Sequence, residues 1–218
     1  MRAVMAAEYG EHGMDMAFEE AGEPIAEPVT KVGGQPVWLE EPVWPLAAKT
    51  GDPMRFIGQF RLPGERVRLG YLFMTEESRF VDTTYQADGG ENAFIVQPGG
   101  RLAPFYEVTE AATGPTHGPD HRASLSPCTP KQPDAADIAE AEEAGEEAGP
   151  KYGLECRIGG RPGWVQVRQE PAEEGDWAFA GQLAWFGMPF DVEFGSAGVG
   201  YCFYEENTGE GRFFWQYS

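Results

Sequence analysis

TKVGGQPVWLEEPVWPL, Thr30 to Leu46, packs two adjacent glycines, three prolines and two tryptophans into seventeen residues, and its first part returns 126 positions later as CRIGGRPGWV. Laid on the double glycine, Lys31 to Leu39 meets Arg157 to Val165, with Gly33 and Gly159, Gly34 and Gly160, Pro36 and Pro162, and Trp38 and Trp164 matching at fixed spacing. For this composition a chance second copy has a probability of roughly 0.01. Three further blocks follow in the same order. Phe56-Ile57-Gly58-Gln59-Phe60 meets Phe179-Ala180-Gly181-Gln182-Leu183, and Leu69-Gly70-Tyr71-Leu72-Phe73 meets Val199-Gly200-Tyr201-Cys202-Phe203. Phe94-Ile95-Val96-Gln97 meets Phe213-Phe214-Trp215-Gln216. Four collinear blocks predict an internal duplication.

The blocks have the chemistry of strands. Val67 to Met74, Ala93 to Gln97 and Gly211 to Tyr217 are aromatic and β-branched, and glycine or acidic turns separate them. Between Arg66 and Phe73 polar and apolar residues alternate, and both faces turn apolar at Leu72 and Met74, so the strand is expected to enter the core as it proceeds. Gly70 and Gly200 sit inside such strands, where a missing side chain predicts a bulge or the close approach of another backbone. The glycine pair ahead of Pro36 and Pro162 predicts a tight turn, because glycine accepts positive φ and proline fixes its own. Each turn should deliver one tryptophan, Trp38 or Trp164, into the core. The fold expected is α+β and β-rich: internally duplicated, pseudo-barrel-like antiparallel sheets with few short helices.

The duplication sets the expected organisation, with a first repeat half over 1–108 and a second over 151–218, joined in one compact pseudo-symmetric unit. Between them, 109–150 is rich in proline and glycine and then acidic, which predicts an insertion or linker. Its last part, 134–149, reads as a weak, solvated helix, because like charges recur four apart and Ile138 is its only large apolar residue. The first thirty residues are ambiguous, with a helical turn or two over MRAVMAAEY and an extended GEPIAEPV.

The balance of 16 basic and 36 acidic residues gives a net charge of −20, a field that repels nucleic acid and anionic membranes and attracts cationic partners. Three cysteines without CxxC spacing argue against a disulfide framework and a four-ligand zinc site. No stretch has the length or apolarity of a signal peptide or a spanning helix, and together these features lead to the expectation of a cytoplasmic protein.

Reagents are scarce. The common hydrolase, nucleotide and zinc motifs are absent, and GSAGVG, Gly195 to Gly200, is followed by a strand-like run where a phosphate cradle needs a helix. His117, His121, Asp120 and Cys128 have spacing compatible with a metal site, but their segment promises no strand or helix to hold ligands, so neither metal nor cofactor is expected. Gln59 and Gln182 lie at matching places inside apolar blocks. Each is expected either to satisfy its amide on buried backbone of the other repeat or, with Trp44, Trp177 and Trp185, to line a groove between the halves.

TKVGGQPVWL, MRFIGQF, LGYLFM and the closing FFWQYS together resemble the YwqG-like bacterial family, a domain of unknown function whose superfamily includes the N-terminal part of programmed cell death protein 2. The resemblance spans nearly the whole chain. It implies a duplicated β-rich pseudo-barrel and a recognition role, and it maps the family's motif onto Gly33, Gly34, Pro36, Trp38, Gly58, Gln59 and their counterparts Gly159, Gly160, Pro162, Trp164, Gly181 and Gln182. It supplies no catalytic residues. The function expected is therefore a non-enzymatic module, immunity-like or chaperone-like, that binds a basic polypeptide. The alternative is an enzyme or small-ligand-binding protein using the groove between the repeats, and a third option is an oligomer paired through the terminal FFWQYS edge.

Overall fold

The computed structural model describes residues 8–75, 84–133, 135, 138, 139, 143, 145 and 148–218. Of the expected helical turns over 1–9, Glu8 and Tyr9 are described and are helical, while 1–7 and most of the expected acidic helix over 134–149 fall outside those residues.

Twelve strands follow one another along the chain. They are β1 (Met14–Glu20), β2 (Lys31–Val32), β3 (Trp44–Leu46), β4 (Arg55–Leu62), β5 (Arg68–Met74), β6 (Asn92–Gln97), β7 (Glu107–Thr109), β8 (His121–Pro127), β9 (Arg157–Ile158), β10 (Trp177–Ala184), β11 (Val199–Glu205) and β12 (Gly211–Gln216). A 3₁₀ turn, Trp185–Gly187, follows β10 directly. Ten strands form one antiparallel sheet in the order β12-β11-β10-β9-β1-β8-β2-β4-β5-β6, and β3 pairs with β7 apart from it. The large sheet curls into a nearly closed barrel.

The order divides into two five-stranded sets, β8-β2-β4-β5-β6 and β12-β11-β10-β9-β1, joined where β1 and β8 pair from Met14↔Pro127 to Glu20↔His121. The segment 109–150, expected to be an insertion or linker, thus supplies β8, which lies in the middle of the sheet. The exposed, polar pattern of β8 hides it from periodicity arguments, since only His121 and Ala123 are half-covered. The first strand of the chain likewise joins the second set.

At the free ends of the sheet, Gly211 of β12 lies so close to the Phe94 carbonyl of β6 that a Cβ there would collide. Arg101 N–H donates to Thr208 O at 3.0 Å, and the buried Glu210 carboxylate takes Arg101 Nε at 2.8 Å and also pairs with Arg212. Arg212 is sandwiched between the Phe105 and Trp177 rings, 4.3 and 5.7 Å from their centroids. The FFWQYS edge is thus turned toward β6 for part of its length, and Trp215 N–H donates to Tyr85 O.

Inside the barrel Leu72, Met74 and Phe94 meet Cys202, Tyr204 and Phe213. The opposite face of β5 buries Leu69, Tyr71 and Phe73 under Trp44 and the β3–β7 pair, so β5 is apolar on both faces, as its sequence predicts. Gly70 and Gly200 mark neither a bulge nor the close approach of another backbone. A Cβ on either would strike an aromatic ring, Phe94 for Gly70 and Phe213 for Gly200. The bulges fall instead on β4, between Phe56 and Gly58, and on β10, between Phe179 and Gly181.

Candidate functional site

The double-glycine turns organise everything around them. Gly33 and Gly34 have φ of 71° and 58°, Gly159 and Gly160 have 65° and 71°, and two left-handed residues in a row reverse the chain. The cation before each turn curls beneath it. Lys31 Nζ donates to Gln35 O at 2.6 Å and pairs with Asp120, while Arg157 donates to Arg161 O at 3.3 Å and to Asp15 at 2.9 Å. Both cations are buried, Lys31 at 0% and Arg157 at 1% exposure. Burial pushes the Lys31 ammonium below its usual range, and the hydrogen bond that it donates to Asp120 acts the other way. An acid is therefore obligatory beside it, and Asp120, in the proline- and glycine-rich stretch, fills that role. The four candidate ligands do not assemble: Asp120 answers Lys31, and the Cys128 thiol adjoins Asp15 and Arg157. Among the described residues no three of His, Cys, Asp and Glu are grouped to hold a metal ion.

Beyond each turn the chain is strapped to the sheet by three side chains. Gln59 accepts from Val37 N–H at 2.9 Å and donates to Val29 O at 2.8 Å. Gln182 accepts from Gly163 N–H at 2.8 Å and donates to Glu155 O at 2.8 Å. Tyr71 OH donates to Val37 O and Tyr201 OH to Gly163 O, at 2.8 and 2.9 Å. Gln97 accepts from Leu39 N–H at 3.2 Å, and Gln216 from Gln166 N–H at 3.1 Å. Burial raises both tyrosine pKa values far above the ordinary range, keeping the phenols neutral donors.

These bonds settle the candidate binding residues. Gln59 and Gln182 are buried and engaged at both ends with backbone of their own set, not of the other repeat, and neither faces a groove. Trp44 is fully buried with its indole N–H on Met54 O, Trp177 covers Arg212, and Trp185 is half-exposed beside Phe186. None of the five lines the groove beside the first turn or the recess that adjoins it. Trp38 and Trp164 do not drop into the core but cap it half-buried, Trp38 at 4.9 Å from Tyr71 and Trp164 at 4.8 Å from Tyr201.

The open site lies elsewhere, beside the first turn. The β1–β2 connection, Gly22 to Ala26, stands off from Gln35, Pro36 and Val37 and leaves a groove of about 530 Å³ with Asp120 in its wall. An adjoining recess of about 320 Å³ shares Glu23, Pro24 and Ile25 and adds Glu19, Glu20 and Glu27. All four glutamates are exposed, and Arg122 meets Glu27 at 2.9 Å. The result is an apolar, proline-walled floor with a carboxylate rim, a shape that suits a chain or side chain combining apolar surface with positive charge. The sequence held a clue to this groove in the upstream run Pro24 to Thr30, which aligns without gaps against Pro150 to Cys156.

The fold and site define a nearly closed β barrel with an acidic groove at one double-glycine turn. No protein-family model matches the chain, and no curated protein matches it either. No helix among the described residues is long and apolar enough to cross a membrane.

Proposed function

We propose that this protein is a non-enzymatic recognition module that holds a basic polypeptide along the groove beside the first double-glycine turn, in an immunity-like or chaperone-like role in the cytoplasm. The observation that carries the reading is the groove itself: exposed Glu19, Glu20 and Glu23 edge an apolar floor in a chain of net charge −20. Aliphatic stems of lysine or arginine lie on such a floor while their cations reach the rim. The matched bonds at Gln59 and Gln182, Tyr71 and Tyr201, and Gln97 and Gln216 support descent of the two sets from one repeated unit, as the YwqG-like resemblance implies. A second reading, a small ligand in the same groove, draws support from its volume, which lies within the range of ligand pockets.

The test is binding of a fluorescent oligo-arginine peptide, followed by anisotropy at low and moderate salt, to the native chain and to the triple variant E19Q/E20Q/E23Q. Exposed charges are screened over about 8 Å at physiological ionic strength, so the expected outcome is a salt-sensitive affinity that falls at least about tenfold in the variant. An affinity indifferent to salt and to the variant refutes the reading.

A further inference from the structure

Three pairs of bonds fix how the two sets correspond upstream of the double glycines. Thr30 Oγ1 accepts from Arg61 N–H at 2.9 Å where Cys156 Sγ accepts from Ala184 N–H at 3.2 Å. Gln59 reaches Val29 O where Gln182 reaches Glu155 O, both at 2.8 Å. Lys31 and Arg157 each pair across β4 and β10 with those glutamines. Counting back without a gap, Pro24 matches Pro150 and Ala26 matches Tyr152.

That last pair explains the groove. In the second set the Tyr152 ring lies 5.4 Å from the Arg157 guanidinium, and its hydroxyl meets His12 Nδ1 at 3.0 Å. Gly163 has no side chain, so the Gly153 carbonyl comes directly against it. In the first set Ala26 presents a methyl where the phenol would stand, and Val37, the match of Gly163, keeps the connection at a distance. The void beside the first turn is the counterpart of a place that the chain fills with its own tyrosine in the second.

We propose that the groove takes the side chain of a tyrosine carried on an extended, basic segment of a partner polypeptide. The inference rests on the reading of the groove as a site for a basic polypeptide and adds the residue that anchors it. Pro24, Pro36 and Val37 offer apolar contact to the faces of the ring. Val32 pairs with His121 as Ile158 pairs with Met14, which puts Pro119 where the second set has His12, so the phenol O–H turns to the nearby carboxylate of Asp120, which is 7% exposed and already neutralised by Lys31. The segment is extended because its internal counterpart is: Lys151 pairs in a β-bridge with Lys131. Basic neighbours of the tyrosine then meet Glu19, Glu20 and Glu23 in the adjoining recess.

The probes are two capped fluorescent peptides, RRYGRR and RRAGRR, measured against the native chain and against Ala26→Tyr, which supplies the missing ring from within. The native chain is expected to bind the tyrosine peptide at least about tenfold more tightly, the effect of burying one aromatic ring. Ala26→Tyr should abolish that preference, keep the weaker salt-sensitive affinity for RRAGRR, and melt no lower than the native chain. Equal affinity of the native chain for both peptides, or a preference surviving Ala26→Tyr, overturns the proposal. If both peptides bind equally and lose affinity in E19Q/E20Q/E23Q, the ring site falls and the charge reading stands; if neither peptide binds, both fall. Should Ala26→Tyr fail to fold, the two-peptide comparison on the native chain decides alone.

Discussion

The two five-stranded sets share their straps and differ in what surrounds them. Each has a double-glycine turn over a buried cation, a strand glutamine, a tyrosine and a closing glutamine that pin the following segment. The first set then covers its outer face with Trp44 and the β3–β7 pair, whereas the second stacks Trp164 on Phe203 and Phe214 at 6.4 and 6.3 Å without such a layer. The second set also has the longer connection, 185–198, between the strands matching β4 and β5, and sends Phe190 from it across to stack on His117 at 4.1 Å. Beside the turns the contrast reverses, with Tyr152 filling the second and a groove open at the first. Buried hydrogen bonds hold backbone geometry constant in both places, while side chains of different size decide whether the space beside a turn is filled or left open.

The counter-ions give the sharpest way to break that comparison. Asp120 is 7% exposed and faces a fully buried lysine, while the Asp15 side chain is 31% exposed and Arg157 also has Glu155 at 3.9 Å. Asp120→Ala strands a buried cation and should cost about 3–5 kcal/mol in urea unfolding, with Asp15→Ala costing clearly less. Equal losses would mean that the two turns carry their cations in the same way.

Gln59→Ala and Gln182→Ala test the shared straps. Gln59→Ala leaves the part-buried Val37 N–H and the Val29 carbonyl without their amide partner, and Gln182→Ala does the same to the buried Gly163 N–H and the Glu155 carbonyl, so each should cost about 2–3 kcal/mol by the same measurement. A large loss at one and none at the other would dissolve the correspondence. Gly70→Ala and Gly200→Ala come next: a Cβ at either meets an aromatic ring, and overpacking of about 1–3 kcal/mol is expected at both.

The smallest effect concerns acid. Glu205 accepts from Thr208 N–H at 2.6 Å, from the Thr208 hydroxyl at 2.8 Å and from the Asn207 side-chain amide at 2.9 Å, and these bonds hold its carboxyl down from an ordinary value of 4.5 to about 2. A depressed folded pKa contributes stability that is complete above the ordinary value and is lost as pH falls from there through about 2. The first set has Thr75 at the matching place, where Thr75 N–H donates to Glu91 O just as Glu205 N–H donates to Glu210 O. Melting temperatures of the native chain and Glu205→Gln should therefore converge as the solution is acidified below pH 4.5, and a constant gap would show that the turn bonds leave the carboxyl unperturbed.

Much of the strand architecture was legible because it is local. The recurrence of GG-x-P-x-W, the aromatic runs of β5, β6 and β12, and the glutamines inside apolar blocks are patterns of period and spacing that a chain carries wherever it folds. β8 was not legible, since a strand exposed on most of its length has no apolar face to reveal it. Nor was the groove beside the first turn: Gln59 and Gln182 serve as straps, Trp44 and Trp177 pack on other side chains, Trp185 lies exposed beside Phe186, and the groove's lining residues Ala26 and Val37 are noticeable only beside Tyr152 and Gly163.

The sequence by itself determined where the aromatic strands β5, β6 and β12 run, where the double glycines reverse the chain and that Gln59 and Gln182 are buried among apolar residues, because turn stereochemistry and alternation act between near neighbours. Only the tertiary structure decided that β1 crosses to the second set, that Asp120 answers Lys31 from 89 residues away, and that one turn stays open. Those features depend on which distant segments close on each other and on the volume left between them, and neither is written in any single stretch of the chain.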